Sequence, residues 1–265
     1  MKKVFCLLAC GLLFSCKTEE SAPVPGNAGN LLLKEVKETA TPTTINYFTT
    51  HYRYDASGVL SSVRNDTMDI SYTVLPENLG SEESPYVIAI YKSGNRTTSV
   101  FYFCDPAHRV VKEVSGDAQK FFSYNEDNSV SRVITHFTKE TRRDTTLFEY
   151  NVKVGQEGLI RDLQLSRQYR QLANSDRTSI NNSYRHNYYQ AGKTYEKGIK
   201  YPFNYGNERK NLLVRTQFMP SNLGGNSEDW QYSYEFDANG FMTKKTALKS
   251  EVVYQENTTY FYGKP

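Results

Sequence analysis

Tyr52-Arg53-Tyr54-Asp55-Ala56-Ser57-Gly58-Val59-Leu60 is the stretch from which the fold can be read. Its two tyrosines stand two residues apart, on one face of a strand, because successive strand side chains point to opposite faces. Asp55 is placed to accept backbone N–H groups two residues on. Gly58 supplies the positive φ of a type I turn closed by a bulge. The chain then returns into Leu60, opposite Tyr54, as an aromatic–aliphatic cross-strand pair. Tyr234-Glu235-Phe236-Asp237-Ala238-Asn239-Gly240-Phe241-Met242 repeats the unit nearly position for position.

Three looser copies lie between. Tyr102-Phe103-Cys104-Asp105 leads to His108 and Val110, and Phe122-Ser123-Tyr124-Asn125 leads to Asn128 and Val130. Phe148-Glu149-Tyr150-Asn151 leads, after a longer loop, to Gly158 and Ile160. His108 stands where glycine is expected, and histidine is among the residues that tolerate a left-handed conformation. Facing pairs Tyr54/Leu60, Tyr124/Val130 and Phe236/Met242 follow from the three-residue loops. A lone hairpin is marginal in water, so the copies must pair with one another and bury a shared aromatic stripe. Leu163 to Arg170 alternates as a strand does. Ser175 to Tyr189 carries turn-formers and few aliphatics, which predicts a long excursion or ragged hairpin. The expected fold is all-β: a mainly antiparallel meander of hairpins in a strongly curved sheet or half-barrel, with little helix, as one domain at 31–265.

The N-terminal end has a different logic. Lys2 and Lys3 precede an apolar run, Val4 to Phe14, too short to span a bilayer as a helix and suited to a secretory signal. Leu13-Phe14-Ser15-Cys16 resembles the lipobox of bacterial lipoproteins, which implies a signal peptide at 1–15 and lipidation at Cys16. Lys17-Thr18-Glu19-Glu20 resembles the acidic export tag of surface lipoproteins of anaerobic gut bacteria, and residue 17 is not the aspartate that retains some lipoproteins at the inner membrane. Residues 16–30, with Pro23, Pro25, Gly26 and Gly29, read as a lipidated N-terminus and flexible tether. The expected location is the cell envelope, anchored by lipid to the outer membrane and open to surface exposure.

Charge and cysteine content narrow the chemistry. Loss of Lys2 and Lys3 with the signal leaves 30 basic residues from 32, against 29 acidic. No basic run appears, so nucleic acid is not an expected partner. Cys6 and Cys10 leave with the signal, Cys16 would be acylated, and Cys104 sits in a strand-like run as a small buried side chain rather than a nucleophile. Histidines 51, 108, 136 and 186 lie on separate hairpins, with no triad or metal-ligand spacing. Asp237 to Gly240 and Asn125 to Asn128 look like calcium-loop fragments, but the hairpin repeat accounts for the same positions. No metal or other cofactor is expected.

The Tyr52 to Leu60 unit resembles the tyrosine-aspartate hairpins of Rhs/YD-repeat proteins. Asn204-Tyr205-Gly206-Asn207-Glu208-Arg209-Lys210-Asn211-Leu212-Leu213, the Tyr234 to Thr243 unit and Thr259-Tyr260-Phe261-Tyr262 resemble, in that order, the end of a domain-of-unknown-function family of gut-bacterial surface lipoproteins. The resemblance runs over most of residues 31–265. It implies a hairpin scaffold in the envelope and assigns no catalytic or binding residue.

Function is approached through aromatics the hairpins do not require. Tyr188, Tyr189, Tyr195, Tyr201, Tyr205 and Trp230 fall outside the repeat and are candidates for stacking on sugar rings or anchoring a peptide. The expected role is non-catalytic binding of carbohydrate or peptide at the cell surface. The alternative is a structural or assembly subunit that binds other envelope proteins; a glycosidase-type hydrolase ranks behind both. Asp66-Thr67-Met68 and Asp144-Thr145-Thr146 resemble the Asp-Thr-x acceptor for O-glycosylation, which makes Thr67 and Thr145 candidate modification sites.

Overall fold

The computed structural model describes residues 31–41, 48–140, 142–154, 159–172, 176, 178–194, 199–206, 211–220, 227–249 and 254–263. The signal, Cys16 and the tether lie outside the described residues. Sixteen strands follow one another among the described residues: β1 Leu32–Thr41, β2 Phe48–Tyr54, β3 Leu60–Arg64, β4 Asp69–Val74, β5 Val87–Ser93, β6 Arg96–Cys104, β7 Val110–Ser115 and β8 Ala118–Tyr124. The second half adds β9 Val130–Phe137, β10 Arg142–Val154, β11 Leu159–Gln171, β12 Thr178–Thr194, β13 Asn211–Pro220, β14 Glu228–Phe236, β15 Met242–Lys249 and β16 Tyr254–Gly263. A 3-10 turn at Pro76–Asn78 is the only helical element among the described residues.

The repeat unit forms as its sequence dictates. Asp55 Oδ1 accepts the N–H groups of Ser57 and Val59 at 2.8 and 2.9 Å. Asp105 does the same for Ala107 and Arg109, and Asp237 for Asn239 and Phe241. Gly58, His108, Asn128 and Gly240 have φ of 77°, 59°, 66° and 82°. Tyr54 faces Leu60, Cys104 faces Val110, Tyr124 faces Val130 and Phe236 faces Met242, each with a register shift beside the pair. A feature absent from the sequence reading ties the units sideways. The hydroxyls of Tyr54, Tyr124 and Tyr234 donate to the carbonyls of Leu33, Val110 and Leu213 on the preceding strand, at 2.6, 2.6 and 2.5 Å.

Three expectations are corrected. The sheet is a closed barrel and not a half-barrel: β1 pairs with β16 from Leu32↔Gly263 to Thr41↔Gln255. A twisted sheet of this width curls, and closure removes two edges whose backbone groups would otherwise go unpaired. The segment expected to be ragged is mostly β12, paired to β11 on one side and β13 on the other. Its polar residues are held across strands, as in Ser166 Oγ to Ser183 Oγ at 2.6 Å and Thr216 Oγ1 to Asn187 Oδ1 at 3.0 Å. The fifth copy does not turn at Asn151, because β10 and β11 stay in register from Asn151↔Leu163 to Val154↔Ile160.

Two substitutions test the bulged turns. Gly58→Val and Gly240→Val should each cost about 1–3 kcal/mol, since a β-branched residue is disfavoured at positive φ; urea unfolding measures it. His108→Gly relieves strain of about 1 kcal/mol, but it also removes a ring packed edge-on against Tyr86 at 5.3 Å. That contact is worth about as much. The net change should therefore lie within about 1 kcal/mol of zero, and a gain well above that would mean the ring contact contributes nothing.

Residues 199–206 show which face of the sheet is the lumen. Leu60 N–H, at the start of β3, donates to Lys200 O at 2.8 Å; Val110 N–H, at the start of β7, donates to Asn204 O at 2.9 Å. Gly206 lies against Asn128 in the β8–β9 turn. Ile199 and Phe203 of this segment pack on the buried cluster built by β3 to β7, which places the segment on the inside. It lies at the end of the barrel that carries the tyrosine-aspartate turns and both ends of the strand circuit.

Candidate functional site

The face toward this inner segment, the plug, is apolar. Val63, Ile70, Val87, Ala89, Val100, Tyr102, Cys104 and Val110 are buried together, with Tyr52, Tyr54, Tyr72, Tyr91 and Phe122 packed around them. Phe203 of the plug stacks on Tyr102 at 4.2 Å and meets Tyr72 edge-on at 6.3 Å. On the opposite face, register sets His51 beside Arg64, Arg64 beside Asp69 and Asp69 beside Lys92 around the outside of β2 to β5. Arg132, Arg143, Glu149, Arg167, Glu235 and Lys244 continue this outward set on later strands. Around β2 to β7 the inner face is apolar, whereas the outer face mixes these charges with Ile88, Ile90, Phe101, Val114 and, further on, Phe121 and Ile134.

Beyond the plug the lumen changes character. Glu113 of β7, Lys120 and Phe122 of β8, Val133 and Thr135 of β9, Thr146 and Phe148 of β10, Ser166 and Gln168 of β11, and Tyr205 of the plug line a cavity of about 370 Å³. Register puts them on one face: Glu113↔Lys120, Lys120↔Thr135, Phe122↔Val133, Val133↔Thr146 and Phe148↔Ser166. Tyr205 Oη donates to Glu113 Oε2 at 2.7 Å and Lys120 Nζ to Glu113 Oε1 at 2.6 Å, so the carboxylate is pinned from two sides. The Phe122 and Tyr205 rings lie 5.2 Å apart. Tyr205 is 38% exposed, which leaves ring surface open to the cavity. Aromatic faces beside a carboxylate, an ammonium, hydroxyls and an amide offer stacking and hydrogen bonding at once.

Burial governs the ionisable groups here. It raises the Tyr205 hydroxyl well above the usual phenol range, and the bond to Glu113 adds to this; Tyr102 is raised likewise by burial and by Tyr91. Burial also lifts Tyr52 and Tyr124 to about 12 each. The Cys104 thiol is pushed up to about 12 by burial and by Asp105, so it is a packing side chain and not a thiolate nucleophile. For tyrosines raised above their unfolded value, the stability contribution is complete below the unfolded pKa and is lost as pH rises through the folded one. Alkaline titration should show a late tyrosinate step, above about pH 11, coincident with loss of the β-sheet dichroism. A single unperturbed step near the ordinary phenol pKa would contradict this packing.

Acid acts on the turns. Hydrogen bonds from Ser57 hold the Asp55 carboxyl below its ordinary value. Burial opposes ionisation of Asp105, but the side-chain and backbone donors of Arg109 outweigh it and hold this carboxyl low too. Both contributions are complete above the unfolded carboxylate pKa and vanish as pH falls through the folded values. The urea midpoint should stay level down to about pH 5 and fall below about pH 4, less steeply in Asp105→Ala.

The candidate aromatics do not form one cluster. Tyr201 and Tyr205 share the plug, and Tyr201 is 47% exposed. Tyr188 and Tyr189 are neighbours on opposite faces of β12; the Tyr188 hydroxyl donates to Gln217 Oε1. Trp230 is on the inner face of β14, edge-on to Tyr254 at 5.9 Å. Tyr195 lies outside the described residues. Thr67 is exposed in the β3–β4 turn, with its hydroxyl donating to Asn65, whereas Thr145 is half-buried on the outer wall. Of the five candidates among the described residues, Tyr205 is the one that lines the lumen cavity. Phe122, Phe148, Glu113 and Lys120 were missed because the hairpin pattern had already accounted for the rings. The inward parity of β7 to β11 would have flagged them.

The fold and site together define a closed up-and-down β-barrel with an inner segment, 199–206, packed at one end and aromatic side chains in its lumen. No family model and no curated protein matches the chain. Among solved structures it is similar to a porin-like protein from Bacteroides vulgatus ATCC 8482, with TM-score 0.49 and 12% identity over 88% of this chain and 99% of that one. It is also similar to a porin-like protein from Bacteroides uniformis ATCC 8492, with TM-score 0.39 and 10% identity over 87% of this chain and 96% of that one. At these identities and superpositions neither neighbour's role transfers to this chain.

Proposed function

We propose that this chain is an exported envelope lipoprotein, held by acyl chains on Cys16, whose barrel stands in water and captures a sugar ring in its lumen without catalysis. The observation that carries this is the cavity between Tyr205, Phe122 and Phe148, rimmed by Glu113, Lys120, Ser166 and Gln168. Its volume lies within the range of small-ligand sites, and apolar ring faces with a few fixed polar groups are what such sites require. A glycosidase would need two carboxylates flanking the scissile bond; among the described residues lining the cavity, Glu113 is the one carboxylate. The assembly alternative called for a broad apolar patch or an unpaired sheet edge, and closure through β1 and β16 leaves no unpaired edge among the described strands.

A barrel embedded in lipid shows an outward apolar band about 25 Å tall. This one interrupts its outward apolar residues, among them Ile88, Ile90, Phe101, Ile134 and Leu147, with Arg53, Arg64, Lys92, Arg132 and Arg167. An anchored, water-facing barrel accommodates them. The end that holds segment 199–206, beside Leu32, would face the bilayer and the other end would face away. Thr67, in a turn at that distal end, is the more accessible of the two O-glycosylation candidates. A glycan array followed by calorimetry tests the reading. A neutral or acidic saccharide should bind the wild type and lose about tenfold or more in affinity on Tyr205→Ala or Phe122→Ala. Failure of every saccharide, with a peptide ligand found instead, would overturn it.

A further inference from the structure

The outer wall of β9 to β11 carries a second hollow, of about 350 Å³, distinct from the lumen cavity. Its floor is Ile134, Thr145, Leu147 and Tyr169, which register sets side by side on the outward face: Thr145↔Ile134 and Thr145↔Tyr169. Arg143 and Arg132 bracket this floor. Arg132 pairs with Leu147, four positions along β10 from Arg143, so the two backbone anchors stand about 14 Å apart.

What marks the pair is how their neighbours are satisfied. Arg142 is matched to Glu140 and Asp144, Arg167 to Glu149 and Arg170 to Asp144. Arg132 donates to the Ser123 hydroxyl at 3.2 Å, and among the described residues neither Arg132 nor Arg143 has a carboxylate within ion-pair distance. No acidic residue lines the hollow. Two uncompensated guanidinium forks, each suited to bidentate capture of a planar or tetrahedral oxyanion, therefore flank an apolar floor with one aromatic ring.

We propose that this hollow binds an acidic glycan, an oligosaccharide bearing carboxylate or sulfate groups on successive residues. The C–H faces of a sugar rest on Tyr169, Ile134 and Leu147, while Arg132 and Arg143 hold the charged groups at either side. An extended acidic peptide fits less well, because mid-sheet backbone groups here are already used in the β9–β10–β11 ladder and leave no partners for peptide N–H and C=O.

The test uses the full-length chain purified in mild detergent, titrated with size-defined polygalacturonate and chondroitin sulfate oligosaccharides. Neutral oligosaccharides of equal length and a polyglutamate peptide serve as controls. The acidic saccharides should bind with affinity that falls as salt rises. Arg132→Gln and Arg143→Gln should each weaken them roughly tenfold or more, and Thr145→Trp, which fills the hollow from its floor, should abolish binding with the melting temperature unchanged. Tyr205→Ala, in the lumen, should leave this binding intact, which separates failure of this site from failure of the lumen reading. In the Tyr205→Ala background, where the lumen no longer contributes, equal binding of neutral oligosaccharides, equal or tighter binding of polyglutamate, or indifference to the double arginine variant would overturn the proposal.

Discussion

Gly206→Ala should cost about 2–5 kcal/mol, the largest loss expected from adding a single methyl group to this protein. Two effects combine. Gly206 has φ of 87°, in the region that L side chains avoid. A Cβ built there would lie 2.1 Å from the Asn128 carbonyl oxygen and 2.9 Å from Tyr124 Cε1. The carbonyl is backbone in a tight turn and Tyr124 is tied through its hydroxyl to Val110, so neither can yield cheaply. The strain can be relieved if the plug lifts from the β8–β9 turn. Urea unfolding measures the cost, and hydrogen exchange at Asn204 and Val110, whose N–H groups join plug to wall, should accelerate first. A neutral Gly206→Ala would mean that the plug does not lie against that turn.

Phe203→Ala is the second large effect. The ring is sandwiched between Tyr102 at 4.2 Å and Tyr205 at 5.8 Å, with Tyr72 at its edge. Its removal leaves a void bounded by strands that cannot close in, because the barrel fixes their spacing. Truncation of a buried phenylalanine costs about 3–5 kcal/mol; for this partly buried ring about 2–4 is expected. Phe203→Leu refills most of the volume and should recover most of the loss. Differential calorimetry separates the two variants. If alanine and leucine behave alike, ring stacking rather than volume holds the plug.

How much of this was legible depended on how local each cause is. Asp55, Gly58, Asp237 and Gly240 wrote their turns within nine residues, and His108 and Asn128 took the left-handed positions that the alignment of units assigned them. Closure was not legible, because β1 and β16 meet across the whole chain and neither Leu32 nor Gly263 carries a mark of the other. β12 was hidden for a different reason. Ser183 bonds Ser166 of β11 and Asn187 accepts from Thr216 of β13 in a polar stretch of wall, where apolar alternation is not needed and therefore gives no signal. Tyr205 stands outside the hairpin repeat in the sequence, but its neighbours Glu113 and Lys120 sit on strands far away in sequence. Only the register of the barrel brings them together.

The central claim is that the barrel's outer face meets water. It is tested most directly by expressing the chain with Cys16→Ala and without its signal, and fractionating it in the absence of detergent. The account predicts a soluble protein with a full β-sheet spectrum that does not partition into phospholipid vesicles. Recovery only with detergent, or spontaneous insertion into vesicles with protection of the outward Arg132 and Arg167 from water-soluble guanidine reagents, would contradict it.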